Sequence, residues 1–293
     1  MEQVIYSQPT DMDGLARALG QATEKTVLLG GGTDLLIMIQ KKHPPIDRYI
    51  SLGKIPDLGK IEEQDGFLKI GAMATHHQIA GNPLVEKYFP ALSMACSHVG
   101  SQQIRNKGTI GGSLANASPA GDMMPCVFLF KGEIEIYNKN QEYRRISGEE
   151  FLIGNQRTAL SLGEAVSALW LPIREERKSC FVKLGARTDV TIAQISLALS
   201  WEKKENAIEA VRAYLGAVDV RPLYLPEAEE LLSGEISQEK KDALAESLRA
   251  RIQGIRERRK RQPKLRITEA ERLYKERAVK GIVYDAAEYM EEL

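Results

Sequence analysis

The 293-residue sequence has few cysteines and no long apolar run. Its three cysteines, Cys96, Cys126 and Cys180, are widely spaced and form no CxxC pair, which argues against a disulfide framework and for a reducing compartment. No apolar stretch approaches the roughly 20 residues of a membrane helix, and residues 1–10 show no basic stretch followed by an apolar core. We therefore expect a cytoplasmic protein without membrane insertion.

The chain also lacks a net charge, because 40 basic residues balance 40 acidic ones. This balance argues against nucleic acid or an anionic membrane as the partner. The basic run 256–261 continues an amphipathic helical pattern, so it indicates a solvated face or a subunit contact. The histidines indicate no metal site, since the adjacent His76 and His77 would point about 100° apart on a helix. His98 precedes a glycine-rich loop and is a weaker candidate for the lining of a site.

Hydrophobic patterning predicts a small α/β unit at the N-terminus, followed by a larger unit with a mainly antiparallel sheet. The first unit has strands at Val4–Ser7, Thr26–Leu29 and Tyr49–Leu52, and a helix around Leu15–Gly20 with Thr10 as its cap. The second has a capping box at Thr75–Gln78, a helix over Tyr88–Val99, mostly loop over Gly100–Pro125, and strands at Phe67–Ala74, Val127–Phe130, Ile134–Tyr137, Gln141–Ile146 and Ala165–Leu171.

Beyond a boundary near Pro172–Arg177, three strands and two helices are predicted. The strands are Ser179–Leu184, Ala193–Trp201 and Ala207–Ala217, and the helices are Pro226–Leu232 and Gln238–Lys260. Leu244, Leu248, Ile252 and Ile255 define the buried face of the longer helix.

The first chemical signal is the loop Leu28–Leu35, in which a strand runs into three glycines and then into an apolar helix start. Glycine lets successive N–H groups converge on an anion, and a helix N-terminus adds a favourable dipole. Thr33 adds a donor, whereas Asp34 would repel a phosphate and is better suited to cap the helix or to accept from a ribose or an amide. The spacing is neither GxGxxG nor GxxxxGK[ST], which disfavours a Rossmann fold and a nucleotide hydrolase. A simple tight turn is the alternative.

The second signal is the segment Arg105–Asp122, in which small residues dominate. Asp122 supplies a fixed acceptor, and neutral donors for a pyrophosphate and a sugar come from Thr109, Ser113, Asn116 and Ser118. Two such loops with few charges between them fit one long dinucleotide better than two small anions. The alternative is a structural loop between a helix and a sheet.

At these loops the chain resembles the flavin subunit of the molybdenum hydroxylases, the family of xanthine dehydrogenase, aerobic carbon monoxide dehydrogenase and nicotinate dehydrogenase. The family's (A/G)GGTDL and QIRNxGTIGGN…ASPAGD motifs match Gly30–Leu35 and Gln103–Asp122, and Phe181–Ala193 and Gly216–Gly234 resemble later family segments. The resemblance implies an α+β fold of the vanillyl-alcohol oxidase/xanthine dehydrogenase flavoprotein type. Two FAD-binding subdomains, 1–57 and 58–172, would precede a C-terminal α/β domain, 173–293, with a three-stranded antiparallel sheet and helices.

The resemblance also implies a non-covalent FAD and the residues that contact it. Leu28–Leu35 would wrap the pyrophosphate, Thr109–Ser113 would form the opposite wall, and Lys183 would lie near the flavin ring, where a cation stabilises a reduced, anionic flavin. Asn116 and Asp122 would contact the phosphate–ribose–adenine half, and Val99 and Val166 would add apolar contacts. The implied set is Leu28, Leu29, Gly30, Gly31, Gly32, Thr33, Asp34, Leu35, Val99, Thr109, Ile110, Gly111, Gly112, Ser113, Asn116, Asp122, Val166 and Lys183.

Some positions depart from the family pattern. Ser113 replaces the usual Asn, which shortens one side-chain contact to the cofactor. Ile192 stands where some relatives carry an aromatic residue beside the flavin. Arg266 and Tyr274 only loosely match the usual ending, which leaves the role of residues 262–293 open.

The resemblance implies an electron-transfer role in which no side chain of this chain is catalytic. A large molybdopterin-binding partner would hydroxylate the substrate and a partner with 2Fe–2S clusters would deliver electrons. FAD would pass them to NAD or another acceptor, in a dimer of heterotrimers. Three scattered cysteines cannot supply the four ligands of a cluster, so the clusters are assigned to the partner. The alternatives are a free-standing FAD-dependent oxidoreductase, for which we identify no acid–base residue, and a flavin-less assembly module.

Overall fold

Three main sheets follow one another along the chain in the computed structural model, which describes residues 4–187, 190–204, 207–260 and 269–292. The first is a parallel sheet whose strand order is first, third, second. Its elements are β1 (Ile5–Ser7), α1 (Met12–Leu19), β2 (Thr26–Leu29), α2 (Leu35–Lys42) and β3 (Arg48–Ser51). Asp11 rather than the predicted Thr10 caps α1, because its carboxylate accepts a hydrogen bond from Gly14 N. Leu15 and Leu19 of α1 share a core with Tyr137 and Ala165 of the next unit.

The second sheet is antiparallel, as predicted, and has five strands, of which the first, Ile61–Gln64, was not predicted. A short 3-10 turn, Pro56–Gly59, leads into β4 (Ile61–Gln64) and β5 (Phe67–Gly71). Six helices follow: α3 (His76–Ala80), α4 (Pro83–Tyr88), α5 (Pro90–Ser97), α6 (Gln102–Arg105), α7 (Ile110–Asn116) and α8 (Met123–Leu129). The unit closes with β6 (Glu133–Asn138), β7 (Tyr143–Ser147), α9 (Gly148–Phe151), the hairpin β8 (Leu152–Gly154) and β9 (Arg157–Thr158), and β10 (Glu164–Pro172). The order is β4–β5–β10–β6–β7.

Helices occupy a region for which the sequence pattern predicts loop and strand. The predicted loop Gly100–Pro125 contains α6 and α7, and α8 replaces the strand predicted at Val127–Phe130. Every residue of α8 is buried, so its apolar run has no helical period and cannot be told from a buried strand. The capping box at Thr75 is present as predicted, with reciprocal bonds to Gln78.

The C-terminal part packs helices on a third antiparallel sheet. Its elements are β11 (Arg177–Gly185), β12 (Ala193–Lys204), β13 (Ala207–Gly216), β14 (Leu223–Tyr224), α10 (Pro226–Leu232), α11 (Gln238–Lys260) and α12 (Glu269–Glu292). The sheet has the three expected strands and a fourth, the two-residue strand β14, at its edge. The predicted buried face of α11 is confirmed, since Leu244, Leu248, Ile252 and Ile255 all lie in the core.

The cysteines act as small apolar core residues. Cys96, Cys126 and Cys180 form no disulfide and are fully buried, and burial raises the pKa of each thiol. They are therefore inert packing groups at neutral pH. Within the described ranges, no helix combines the length and the apolar character that crossing a bilayer requires.

Candidate functional site

The two glycine-rich loops meet in the folded chain. A Cβ atom added at Gly31 would overlap the carbonyl oxygen of Lys107, so the first loop lies directly on the backbone that leads into the second. Together they line a cavity of about 250 Å³. Its lining residues are Leu28, Gly30, Gly31, Gly32, Thr33, Asp34, Leu35, Met38, Thr109, Gly112, Ser113, Ala115 and Asn116.

The first loop offers free hydrogen-bond donors to this cavity. It joins β2 to α2, and Gly32 adopts a left-handed conformation with φ of 73° that residues with a Cβ rarely take. No acceptor in the part of the chain that the structure describes engages the backbone N–H groups of Gly31, Gly32 or Thr33. Unpaired N–H groups beside a helix N-terminus are a suitable environment for an anion.

The second loop contributes differently from what its composition suggests. It is the first turn of α7, which Thr109 caps by accepting from Gly112 N at 3.2 Å. Ile110 N and Gly111 N donate to the carbonyl oxygens of Ala74 and Ala72, at 3.0 and 2.9 Å. These N–H groups therefore hold α7 against the loop that follows β5. The part of α7 that lines the cavity is the backbone of Gly112 with neighbouring residues such as Ser113 and Asn116.

A direct side-chain contact also joins the loops. Asn116 Nδ2 donates to Asp34 Oδ2 at 3.1 Å. Asp34 makes no side-chain capping bond to α2, so the capping role considered for it is wrong. One carboxylate oxygen of Asp34 instead accepts a hydrogen bond from Asn116.

Behind α7 lies a buried histidine that the sequence does not mark as part of the site. His76 Nε2 lies 2.9 Å from Ser113 Oγ, and the residue is only 1% exposed. Burial, with a smaller contribution from the charge of Arg105, lowers the pKa of His76 to about 4. The imidazole is therefore neutral at physiological pH.

This depressed pKa predicts a pH-dependent stability. The folded value lies below the ordinary 6.5, so the stabilising contribution is complete above about pH 6.5 and is lost as the pH falls toward 4. Between pH 7 and pH 4.5 the loss is about 2–3 kcal/mol in the free energy of unfolding. Urea unfolding of the His76→Gln variant should show a correspondingly smaller loss, whereas His77→Gln, the same change at the exposed neighbour, should retain it. Equal losses in both variants would contradict the assignment.

A buried ion pair forms the second polar feature. Lys183 Nζ lies 2.6 Å from Asp122 Oδ2, with side chains only 5% and 7% exposed, and also donates to His98 O at 3.0 Å. Burial raises the pKa of Asp122 to about 6, although Lys183 opposes the rise. Asp122 Oδ1 is buried and has no hydrogen-bond partner among the described residues. Buried acceptors normally have a hydrogen-bond donor, so this unpaired oxygen is exceptional, although Asp122 does not itself line the cavity between the loops.

A larger cavity of about 560 Å³ lies beside Lys183. Cationic side chains that the sequence does not single out, Arg105 and Arg187, line it together with His98. The volume is in the range of small-molecule and cofactor sites. Tyr274 OH donates to Gly185 O, next to this cavity, at 3.1 Å, whereas Arg266 lies outside the described residues. Ile192 is 74% exposed.

Several of the implied contact residues lie behind the cavities and do not line them. Ile110 and Val166 are buried in the central core, and Val99 packs against it between two residues that line the larger cavity. Leu29 lies under Gly32, and Gly111 faces Ala72. The residues at or beside the cavities that the sequence does not single out include Met38, Arg105, Arg187 and His76. Arg105 belongs to the motif Gln103–Asp122, but nothing local in the sequence marks Met38 as a cavity residue or His76 as a partner of one.

Comparison with known proteins places these features in a family context. A family model described as "FAD binding domain in molybdopterin dehydrogenase" matches residues 2–174. The nicotine 6-hydroxylase medium subunit of Paenarthrobacter nicotinovorans is 28% identical over 245 residues, which are 83% of this chain and 85% of the relative. The nicotinate dehydrogenase FAD-subunit of Eubacterium barkeri is 30% identical over 213 residues, 71% of each chain.

Solved structures confirm the predicted fold. A chain of carbon monoxide dehydrogenase from Hydrogenophaga pseudoflava superposes with a TM-score of 0.83 at 23% identity, covering 98% of this chain and 96% of that one. A chain of quinoline 2-oxidoreductase from Pseudomonas putida 86 gives a TM-score of 0.83 at 23% identity, with 98% and 97% covered. At this identity the likeness establishes the architecture.

Proposed function

The chain belongs to the family of FAD-binding domains in molybdopterin dehydrogenases, and from this premise we propose that Leu28–Leu35 and Thr109–Ser113 hold the diphosphate of a non-covalent FAD. The chain is accordingly an FAD-binding oxidoreductase subunit. This assignment rests on the close contact between the two loops at Gly31. Beside that contact, the backbone N–H groups of Gly31, Gly32 and Thr33 have no acceptor within the described ranges. Two side-chain-poor walls and unpaired donors fit a diphosphate.

The remaining site residues are proposed to contact the other parts of FAD. Asp122 presents an unpaired oxygen to a ribityl or ribose hydroxyl or to an N–H group, and Lys183 holds that carboxylate in place. Lys183 also borders the cavity of about 560 Å³, which gives room for a planar ring system next to a cation. When bound, FAD supplies the redox chemistry, while the protein binds it and tunes its electrostatic environment.

We further propose that electrons reach this chain from a 2Fe–2S subunit and leave to NAD or another acceptor. A large molybdopterin-binding subunit would complete a dimer of heterotrimers in the cytoplasm. The proposal is supported by relatives named as medium subunits, and by a related structure described by the state of its molybdenum cofactor. The proposed domains, 1–57, 58–172 and 173–293, each contain one main sheet.

Cofactor analysis of the tagged chain from its native host tests this proposal. The purified complex should release FAD on denaturation, and should contain roughly one molybdenum and four iron atoms per FAD, for two 2Fe–2S clusters in the partner. Release of FMN or of no flavin would overturn the cofactor site. FAD without molybdenum and iron, together with turnover of an organic substrate by the isolated chain, would favour a free-standing flavoenzyme.

A further inference from the structure

His76 occupies an unusual position for a buried histidine. It starts α3, packs behind the first turn of α7 and touches the cavity between the loops only through Ser113. One ring nitrogen, Nε2, lies 2.9 Å from Ser113 Oγ. The other, Nδ1, is buried and has no partner among the residues that the structure describes.

The unpaired nitrogen indicates which tautomer is present. A neutral imidazole carries its proton on one nitrogen and a lone pair on the other. A buried N–H group without an acceptor is rarer in proteins than a buried acceptor without a donor. The arrangement therefore favours a bare Nδ1 and an Nε2–H group that donates to Ser113 Oγ.

This donation determines the role of the Ser113 hydroxyl. Because Ser113 Oγ accepts from His76, its own proton is available to a different acceptor. Ser113 is half-buried and lines the cavity between the loops, and Nε2 of His76 is its one side-chain hydrogen-bond partner within the described ranges. A hydroxyl proton aimed at an acceptor in this cavity meets the phosphate oxygens of a bound diphosphate.

We propose that His76 is a positioning residue, which orients the Ser113 hydroxyl as a hydrogen-bond donor to the cofactor's diphosphate. The inference rests on the proposed FAD site and adds a member to it. His76 is not among the residues that line the cavity, so we expect no direct contact between His76 and the cofactor. Its contribution to FAD affinity must therefore pass through Ser113.

FAD titration of apoprotein variants, followed by flavin fluorescence at pH 7.5, tests this dependence. Ser113→Ala and His76→Phe should each raise the Kd for FAD about tenfold, the effect of one hydrogen bond to a charged group. The double variant should bind no more weakly than Ser113→Ala alone. His76→Gln, whose amide reaches the place of Nε2 with an N–H group, should bind within about threefold of the wild type.

Additive effects of His76→Phe and Ser113→Ala, or an unchanged Kd in either, would overturn the proposal. A wild-type apoprotein that binds no FAD would instead overturn the proposed function itself. Thermal unfolding of each apoprotein separates a loss of folding from a loss of affinity.

The tautomer can be read in the wild-type protein, independently of whether the His76→Phe variant folds. Nitrogen-15 spectra of histidine-labelled chain, with the His76 signals identified by their absence in His76→Gln, should show a neutral ring protonated at Nε2 with and without FAD. A proton on Nδ1 would overturn the proposal, since Ser113 would then have to donate to His76.

Discussion

Gly112→Glu is expected to yield a folded chain that no longer retains FAD. Gly112 is exposed in the cavity between the loops, and an added Cβ would meet only Thr109 Oγ1, at 3.0 Å. The new side chain therefore projects into the space proposed for the diphosphate and brings a negative charge there. Two like charges about 5 Å apart at an effective dielectric constant of about 20 repel by roughly 3 kcal/mol, which raises the Kd for FAD more than 100-fold.

The control is the same substitution at a glycine without neighbours. Gly254 lies on α11, and a Cβ added there would have no atom within 4 Å apart from the backbone of its own helix. Gly254→Glu should retain full FAD content, measured as flavin released per folded chain. Gly112→Ala, which adds bulk without charge, should fall between the two. Normal FAD occupancy in a folded Gly112→Glu chain would show that the diphosphate binds elsewhere.

The glycines of the two motifs have different roles that their sequence does not distinguish. Gly31 allows contact with Lys107, and Gly111 allows contact with Ala72, where a Cβ would lie 2.6 Å from the alanine Cβ. Gly112 faces the cavity instead. The sequence predicts glycine-dependent close approach at each position, but only the fold shows whether the approaching group is protein backbone or ligand.

Local signals predict much of the fold. The order of strand, glycine loop and helix around Leu28–Leu35 and the capping box at Thr75 depend on residues close in the chain, and both are present. The helix α7 is missed because glycine, serine and asparagine favour turns, whereas burial of Ile110 and Leu114 and bonds to the preceding segment override that preference.

Long-range pairings explain the part of the site that the sequence does not predict. His76 meets Ser113 across 37 positions of the chain, and Lys183 meets Asp122 across 61. No spacing rule connects such residues, since each pairing depends on how the sheets and helices pack. The family resemblance implies a separate cofactor contact for Asp122 and for Lys183. Only the structure shows that the two side chains form an ion pair.

Removal of Lys183 should cost more stability at high pH than at low pH. In Lys183→Met the carboxylate of Asp122 is left buried without its ion-pair partner. Loss of one partner from a buried pair typically costs about 3–5 kcal/mol, which is the expected decrease in the free energy of unfolding at pH 8. Since the lysine lowers the pKa of Asp122 from the value that burial alone would give, that pKa should rise above about 6 in the variant.

The sign of the pH dependence follows from this rise. A carboxyl whose folded pKa exceeds its ordinary 3.8 is easier to bury when protonated, so its penalty grows as the pH rises through the folded value. At pH 5.5 Asp122 is largely protonated in the variant, and the deficit relative to the wild type should be small. Urea unfolding of the apoprotein at both pH values measures the difference. The double variant Asp122→Asn/Lys183→Met removes both charges, so it should regain part of the stability at pH 8. A deficit independent of pH would mean that Asp122 is not the group left uncompensated.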